Sequence, residues 1–295
     1  MARLLVTGAS GYLGGEVAER AARAGWTVVG TCWSRSPARD AFRRGDALAV
    51  RLDVRDAADV ERVVADVRPD AVVHCAYRQD GGDADTVTAD GTAHVAAAAR
   101  RARARLVHLS SDLVFAGDLG RALREDDPVA PVLAYGAAKA RAEAAVLVAD
   151  PGAVVVRTSL VYGGPGAVRS RHEDLALAAA RGEQGIAFYA DEHRSPVQVG
   201  DLARALLELC ERPGVAGPLH VAGAEGVDRL TFARLICAAH GVDDAALRAG
   251  RVPPGRPGDC VLDVSRAAAL LDAPLRGVRA VLGAGAPRRR TGNAG

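Results

Sequence analysis

A chain of 295 residues, 49% hydrophobic and 25% charged, can bury a large core as one domain or two, and its composition is that of a globular protein. A formal net charge of +2 provides no basic excess for nucleic acid, and no apolar run reaches membrane-spanning length, so neither is an expected partner. Five cysteines (32, 75, 210, 237, 260) form no Cys-x-x-Cys pair and the seven histidines do not gather with them, which supports neither a metal site nor a disulfide framework and predicts reduced thiols in the cytoplasm.

Arg3–Thr7 reads as the first strand, too short and wrongly flanked for a leader. It runs into Thr7-Gly8-Ala9-Ser10-Gly11-Tyr12-Leu13-Gly14, which opens an amphipathic helical pattern over 13–24. Glycines at this spacing permit a tight turn and close backbone approach. The helix start adds free N–H groups and a favourable dipole, so Gly8, Ser10, Gly11, Tyr12, Leu13 and Gly14 form a candidate pyrophosphate cradle. The second strand, 27–31, leads into Cys32-Trp33-Ser34-Arg35-Ser36, and no acidic residue occurs from Val28 to Arg39. An acidic residue at this strand end would bind the ribose diol of NAD, whereas an arginine accommodates the 2′-phosphate. Arg35 therefore predicts NADPH as cofactor, with NADH as the alternative.

Further strands are expected at 48–52, 71–74, 105–110 and 153–157, separated by alanine-rich helical stretches at 56–66, 85–103 and 135–149. Continuous apolar strands alternating with helices predict an α/β fold with a doubly wound parallel sheet. After about residue 160 the alternation weakens. Gly/Pro joints appear at 163–166, 212–214 and 252–255, with helical patterns near 171–182, 200–212, 230–240 and 264–271. The expected organisation is a dinucleotide-binding domain over 1–160, a smaller α/β substrate lobe over 161–282 that partly shares the sheet, and a solvated, disordered tail over 283–295.

Lys139 is the only lysine among 38 Lys plus Arg. It stands four residues after Tyr135, so both lie on one helix face. Where arginine has replaced every other lysine, a retained lysine signals a need for a compact, tunable ammonium. A positive charge beside a phenol favours the phenolate, and the pair is suited to proton transfer at a carbonyl or alcohol.

With these residues on the page, the chain resembles the extended branch of the short-chain dehydrogenase/reductase superfamily. Its catalytic signature is Tyr-x-x-x-Lys, with a Ser or Thr about two dozen residues upstream. Ser111, in Leu109-Ser110-Ser111-Asp112-Leu113-Val114-Phe115, fills that slot. Four segments resemble the dTDP-4-dehydrorhamnose reductases: Ser110–Gly117, Arg157–Gly163, Ser195–Ala203 and Arg256–Asp263. His74-Cys75-Ala76 is similar to the regulatory β subunit of methionine adenosyltransferase, which has the same skeleton.

The resemblance implies that Ser111, Tyr135 and Lys139 are catalytic. Asp53 and Val54 would contact adenine, and Ala76 and Tyr77 would lie near the nicotinamide ribose with Tyr135 and Lys139. Ser111, Asp112, Leu160 and Arg256 would face the substrate, Asp112 being equally readable as a cap. Leu160 departs from the tryptophan usual in the reductases, which puts the sugar in question. The implied activity is NADPH-dependent reduction of a ketone on a nucleotide-activated 4-keto-6-deoxysugar, with a nucleotide sugar as small-molecule partner, no metal, and homodimerisation as a further expectation. The alternatives are a non-catalytic NADP-binding regulatory subunit and an epimerase or dehydratase of the same superfamily.

Overall fold

The computed structural model describes residues 1–34, 36, 37 and 39–283. Along the first half run β1 (Arg3–Thr7), α1 (Tyr12–Arg23), β2 (Thr27–Cys32), α2 (Asp40–Arg44), β3 (Ala47–Arg51), α3 (Ala57–Val67), β4 (Ala71–His74), α4 (Gly91–Arg101), β5 (Arg105–Leu109), α5 (Ala134–Ala149) and β6 (Val154–Arg157). The second half carries β7 (Val161–Tyr162), α6 (Arg171–Ala180), β8 (Ala187–Tyr189), β9 (His193–Arg194), β10 (Val197–Gln198), α7 (Val199–Cys210), β11 (Gly217–His220), β12 (Val227–Asp228), α8 (Arg229–Ala239), β13 (Arg248–Gly250), α9 (Ser265–Leu270) and α10 (Val278–Leu282).

Seven strands form one parallel sheet in the order β3-β2-β1-β4-β5-β6-β11. Successive side chains of a strand point to opposite faces, and both faces here are covered. Leu4, Val6, Val73, Val107 and Val156 pack with Val17 of α1 and Leu202, Leu206 and Leu209 of α7. Leu5, Val72, Leu106 and Val155 pack on the other face with Val60, Val64, Val95 and Val146 of α3, α4 and α5. That two-sided burial is why the strands read as unbroken apolar runs. Strand order reverses between β1 and β4, and the crevice at their C-terminal ends is where ligands of such sheets bind.

Three expectations change. The helix expected over 85–103 is divided into a π-helical turn, Thr86–Asp90, and α4. At the junction a Cβ on Gly91 would stand 2.7 Å from Val54 Cγ2, so α4 begins flush against the loop after β3. The second change is β11, unrecognised because Gly217-Pro218-Leu219-His220 has no strand pattern; it occupies the sheet edge, where proline is tolerated. Third, the short pairs β7–β10, β9–β12 and β8–β13 assemble a lobe around Tyr162, Leu177, Phe188, Phe232, Ile236 and Leu282. Residues 284–295, expected to form a tail, lie outside the described residues.

Candidate active site

The glycine turn links β1 to α1 at the reversal of strand order. Gly8 adopts φ +70°, and a Cβ there would come within 2.9 Å of Ala76 N after β4. A Cβ on Gly14 would meet the Gly8 carbonyl oxygen at 2.4 Å. Both positions therefore need glycine for close approach. Gly11 caps α1 without a side-chain bond, and no acidic residue occupies the first turn. The first N–H groups of this helix and its positive end are thus open to an anion. A dinucleotide pyrophosphate fits this cradle. Leu13 packs into the core, and the Tyr12 hydroxyl donates to the Val168 carbonyl at 2.7 Å, tying the turn to the loop before α6.

Beyond β2, the exposed Trp33 ring lies under the Arg51 guanidinium at 4.3 Å, with that of Arg55 5.7 Å away. Arg55 grips the Asp53 carboxylate at 2.6 Å and holds it below the usual carboxylate range. Val54 is buried beneath α4. Arg35 lies outside the described residues. Ala76 N donates to Thr7 Oγ1 at 3.3 Å, which sets the loop after β4 against the cradle, and Tyr77 projects from it half exposed.

Across the crevice, β5 ends in Ser110 and Ser111. Ser110 donates to Glu143 Oε1 at 2.5 Å, and Glu143 takes a forked bond from Arg157 at 2.8–3.2 Å, pinning α5 to the strand ends. Ser111 caps the 3-10 turn Asp112–Val114: its Oγ accepts from Leu113 N at 3.2 Å and donates to Asp112 Oδ1 at 3.1 Å. Ser159 donates to the other oxygen of Asp112 at 2.6 Å. Tyr135 sits in the first turn of α5, its ring centroid 5.8 Å from that of Tyr77. Burial, then Tyr77 and Asp112, push the Tyr135 phenol well above its ordinary value, while the neighbouring Ser111 hydroxyl acts the other way.

Lys139 is 3% exposed, and its Nζ donates to the Leu109 carbonyl at 2.7 Å with the Tyr77 ring 5.1 Å away. Burial lowers the ammonium to about 8. The expectation that Lys139 lowers the Tyr135 pKa is corrected here: the ammonium directs one of its N–H groups to β5, and burial with two neighbours moves the phenol upward.

Leu160 packs against the lobe core, its carbonyl accepting from Val197 N at 2.8 Å. Arg256 is held by Glu192 at 3.0 Å and lies 5.7 Å from the Tyr189 ring. Together with Arg229, Ile186 and Phe188 they line a recess of about 70 Å³. A groove of about 420 Å³ along α6 shares Leu175 with this recess and is lined by Arg169, Arg171 and Arg181 rather than by the Ser111–Tyr135 pair. Glu192, Arg194 and Arg229 escaped the sequence reading, because charged residues in an arginine-rich chain carry no local signal of burial. Among the described residues no group of His, Cys, Asp or Glu could hold a metal, and no helix is long and apolar enough to cross a membrane.

The chain matches the family model described as the RmlD substrate binding domain over residues 2–285. It is 36% identical over 263 residues to the dTDP-4-dehydrorhamnose reductase of Mycobacterium tuberculosis, covering 83% of this chain and 78% of that one. It is 34% identical over 296 residues to the probable dTDP-4,6-dihydroxy-2-methyloxan-3-one 4-ketoreductase of Streptomyces antibioticus, covering 95% and 93%. The methionine adenosyltransferase 2 subunit beta of Pongo abelii is 29% identical over 283 residues, covering 90% and 81%. In three dimensions it is similar to the dTDP-4-dehydrorhamnose reductase of Bacillus anthracis solved with NADP, at a TM-score of 0.79 and 23% identity over 97% and 98% of the chains.

Proposed function

Because the chain belongs to the family of the RmlD substrate binding domain, we propose that it is an NADPH-dependent reductase of a ketone on a nucleotide-activated, dTDP-type 4-keto-6-deoxysugar. The observation that carries this reading is the convergence of Ser111 and Tyr135 on one side of the crevice, with Lys139 buried behind them and the glycine cradle opposite.

NADPH, when bound, supplies the hydride. The cradle at Gly8, Gly11 and Gly14 holds its pyrophosphate, and the absence of acidic residues from Val28 to Arg39 favours the 2′-phosphate form. Tyr135 donates its proton to the oxygen of the reduced ketone; a phenol with a raised pKa keeps that proton at neutral pH. Ser111 hydrogen-bonds the same oxygen as negative charge develops there. Lys139 holds the Leu109 carbonyl and stands ready for the ribose hydroxyls. Arg256 and Arg229, gathered by Glu192 in a recess that they share with Ile186 and Phe188, suit the substrate diphosphate.

The test is oxidation of NADPH by the pure protein with a panel of 4-keto-6-deoxy sugar nucleotides, followed by product identification. The reading expects turnover with at least one of them. NADPH binding without reduction of any, together with co-purification of a second enzyme, would favour a regulatory subunit, a reading motivated by the similarity to the methionine adenosyltransferase subunit.

A further inference from the structure

Arg194 heads the largest fully buried side chains of the protein, with only 2% of its side chain exposed. It comes from β9 in the substrate lobe, yet its guanidinium lies between two buried carboxylates. Nε is 3.7 Å from Asp112 Oδ2, and Nη2 is 3.2 Å from Glu192 Oε1. The same group donates to the His193 and Pro257 carbonyls at 3.2 and 3.4 Å. On the far side of Glu192 stand Arg256 and Arg229 at 3.0 and 3.9 Å. A continuous line of charged contacts thus joins the recess to Ser111: Arg256, Glu192, Arg194, Asp112, Ser111.

A buried carboxylate without a counter-charge takes up a proton, and then carries an O–H donor of its own. An ionised one is an acceptor only, with room for more donors than Ser111 and Ser159. We propose that Arg194 is a positioning residue that keeps Asp112 an ionised acceptor, so that a substrate hydroxyl next to the ketone can replace Ser111 on Asp112 and free the Ser111 proton for the ketone oxygen. This rests on the reductase reading above. Burial pushes the Asp112 carboxyl up, and Arg194 is the first of the groups that pull it back. The other titratable or charged groups around Asp112 are Glu192, Arg229, Tyr135 and Cys260.

The experiment compares wild type, Arg194→Met, Asp112→Asn and the double variant in pH–rate profiles and in infrared spectra of the cofactor-free proteins. In Arg194→Met, kcat/KM at pH 7 should fall about tenfold for each pH unit by which the Asp112 pKa comes to exceed the assay pH. Activity should return as pH rises, while Asp112→Asn stays low throughout and the double variant is no worse than Asp112→Asn. Arg194→Met should also gain the carbonyl band of a protonated carboxylic acid at pH 7, absent from the double variant. Arg194→Gln carries the same expectation if Arg194→Met does not fold. Wild-type activity at pH 7 in these variants, or a loss that rising pH does not relieve and that brings no acid band, overturns the proposal. If wild type itself reduces no sugar nucleotide, the reductase reading falls and the infrared band alone decides the role of Arg194.

Discussion

At the scale of single residues the two halves of the Tyr135–Lys139 pair separate cleanly. Tyr135→Phe removes a proton donor and little else, so turnover should vanish in a stopped-flow assay while NADPH binding by calorimetry stays nearly unchanged. Lys139 carries a cost that function explains better than stability does. The unfolded ammonium titrates near 10.5 and the buried one at about 8. Below about 8 both states are protonated and the folded state bears the full cost of a buried charge. Between about 8 and 10.5 the unfolded chain binds more protons, so stability rises with pH. Lys139→Met should therefore stabilise the cofactor-free protein at pH 7 by about 3 kcal/mol, less whatever the unpaired Leu109 carbonyl takes back. Thermal melts should show the difference narrowing toward pH 10.5, and NADPH binding should be lost. A melt that moves downward at pH 7 would count against a strained lysine. The lone lysine was legible in the sequence because composition had removed every other one. Arg194 was not: its meaning lies in two carboxylates, one of them Asp112, far away along the chain and brought beside it only by folding.

At the scale of elements the decisive contact is between α5 and the Asp112–Val114 turn. A Cβ on Gly136 would stand 2.0 Å from the Leu113 carbonyl oxygen. That glycine lets the helix bearing Tyr135 sit directly on the turn capped by Ser111. Gly136→Ala should force the two apart, costing about 1–3 kcal/mol in chemical denaturation and a larger share of kcat than of NADPH affinity. The strands and long helices of the first half were legible because two-sided burial writes itself as apolar runs. β11 was not, since one leucine in Gly217–His220 is too little pattern, and the two- and three-residue strands of the lobe are set by partners rather than by local preference. The join between the halves carries the specificity question. Leu160 follows β6 and packs on the lobe core, where a tryptophan would bring a flat wall and an N–H donor. Leu160→Trp should shift kcat/KM toward dTDP-4-dehydrorhamnose over more modified 4-keto sugars; no change in that ratio would remove Leu160 from the list of specificity determinants.

At the scale of the molecule the expected boundary near residue 160 divides the sequence but cuts through the packing. The last strand of the main sheet and the α7 leucines that cover one of its faces come from beyond it. Arg276 returns from near the C-terminal end of the lobe to clasp Asp201 of α7 with two bonds of 2.8 Å. A chain ending at residue 160 should therefore bind a hydrophobic dye and aggregate rather than bind NADPH, as light scattering and calorimetry would report. A soluble, NADPH-binding fragment would show that the first half is self-sufficient.

The position of β11 also has a meaning for synthesis. A nascent chain emerges at about 5–20 residues per second, so β6 waits about 3–12 s for residues 158–216 to follow before β11 can reach it. Through that interval Val154-Val155-Val156 is an open strand edge, the kind that recruits a neighbouring chain on the same polysome. Occupancy by a ribosome-associated chaperone should rise once Arg157 clears the exit tunnel and fall after His220 does.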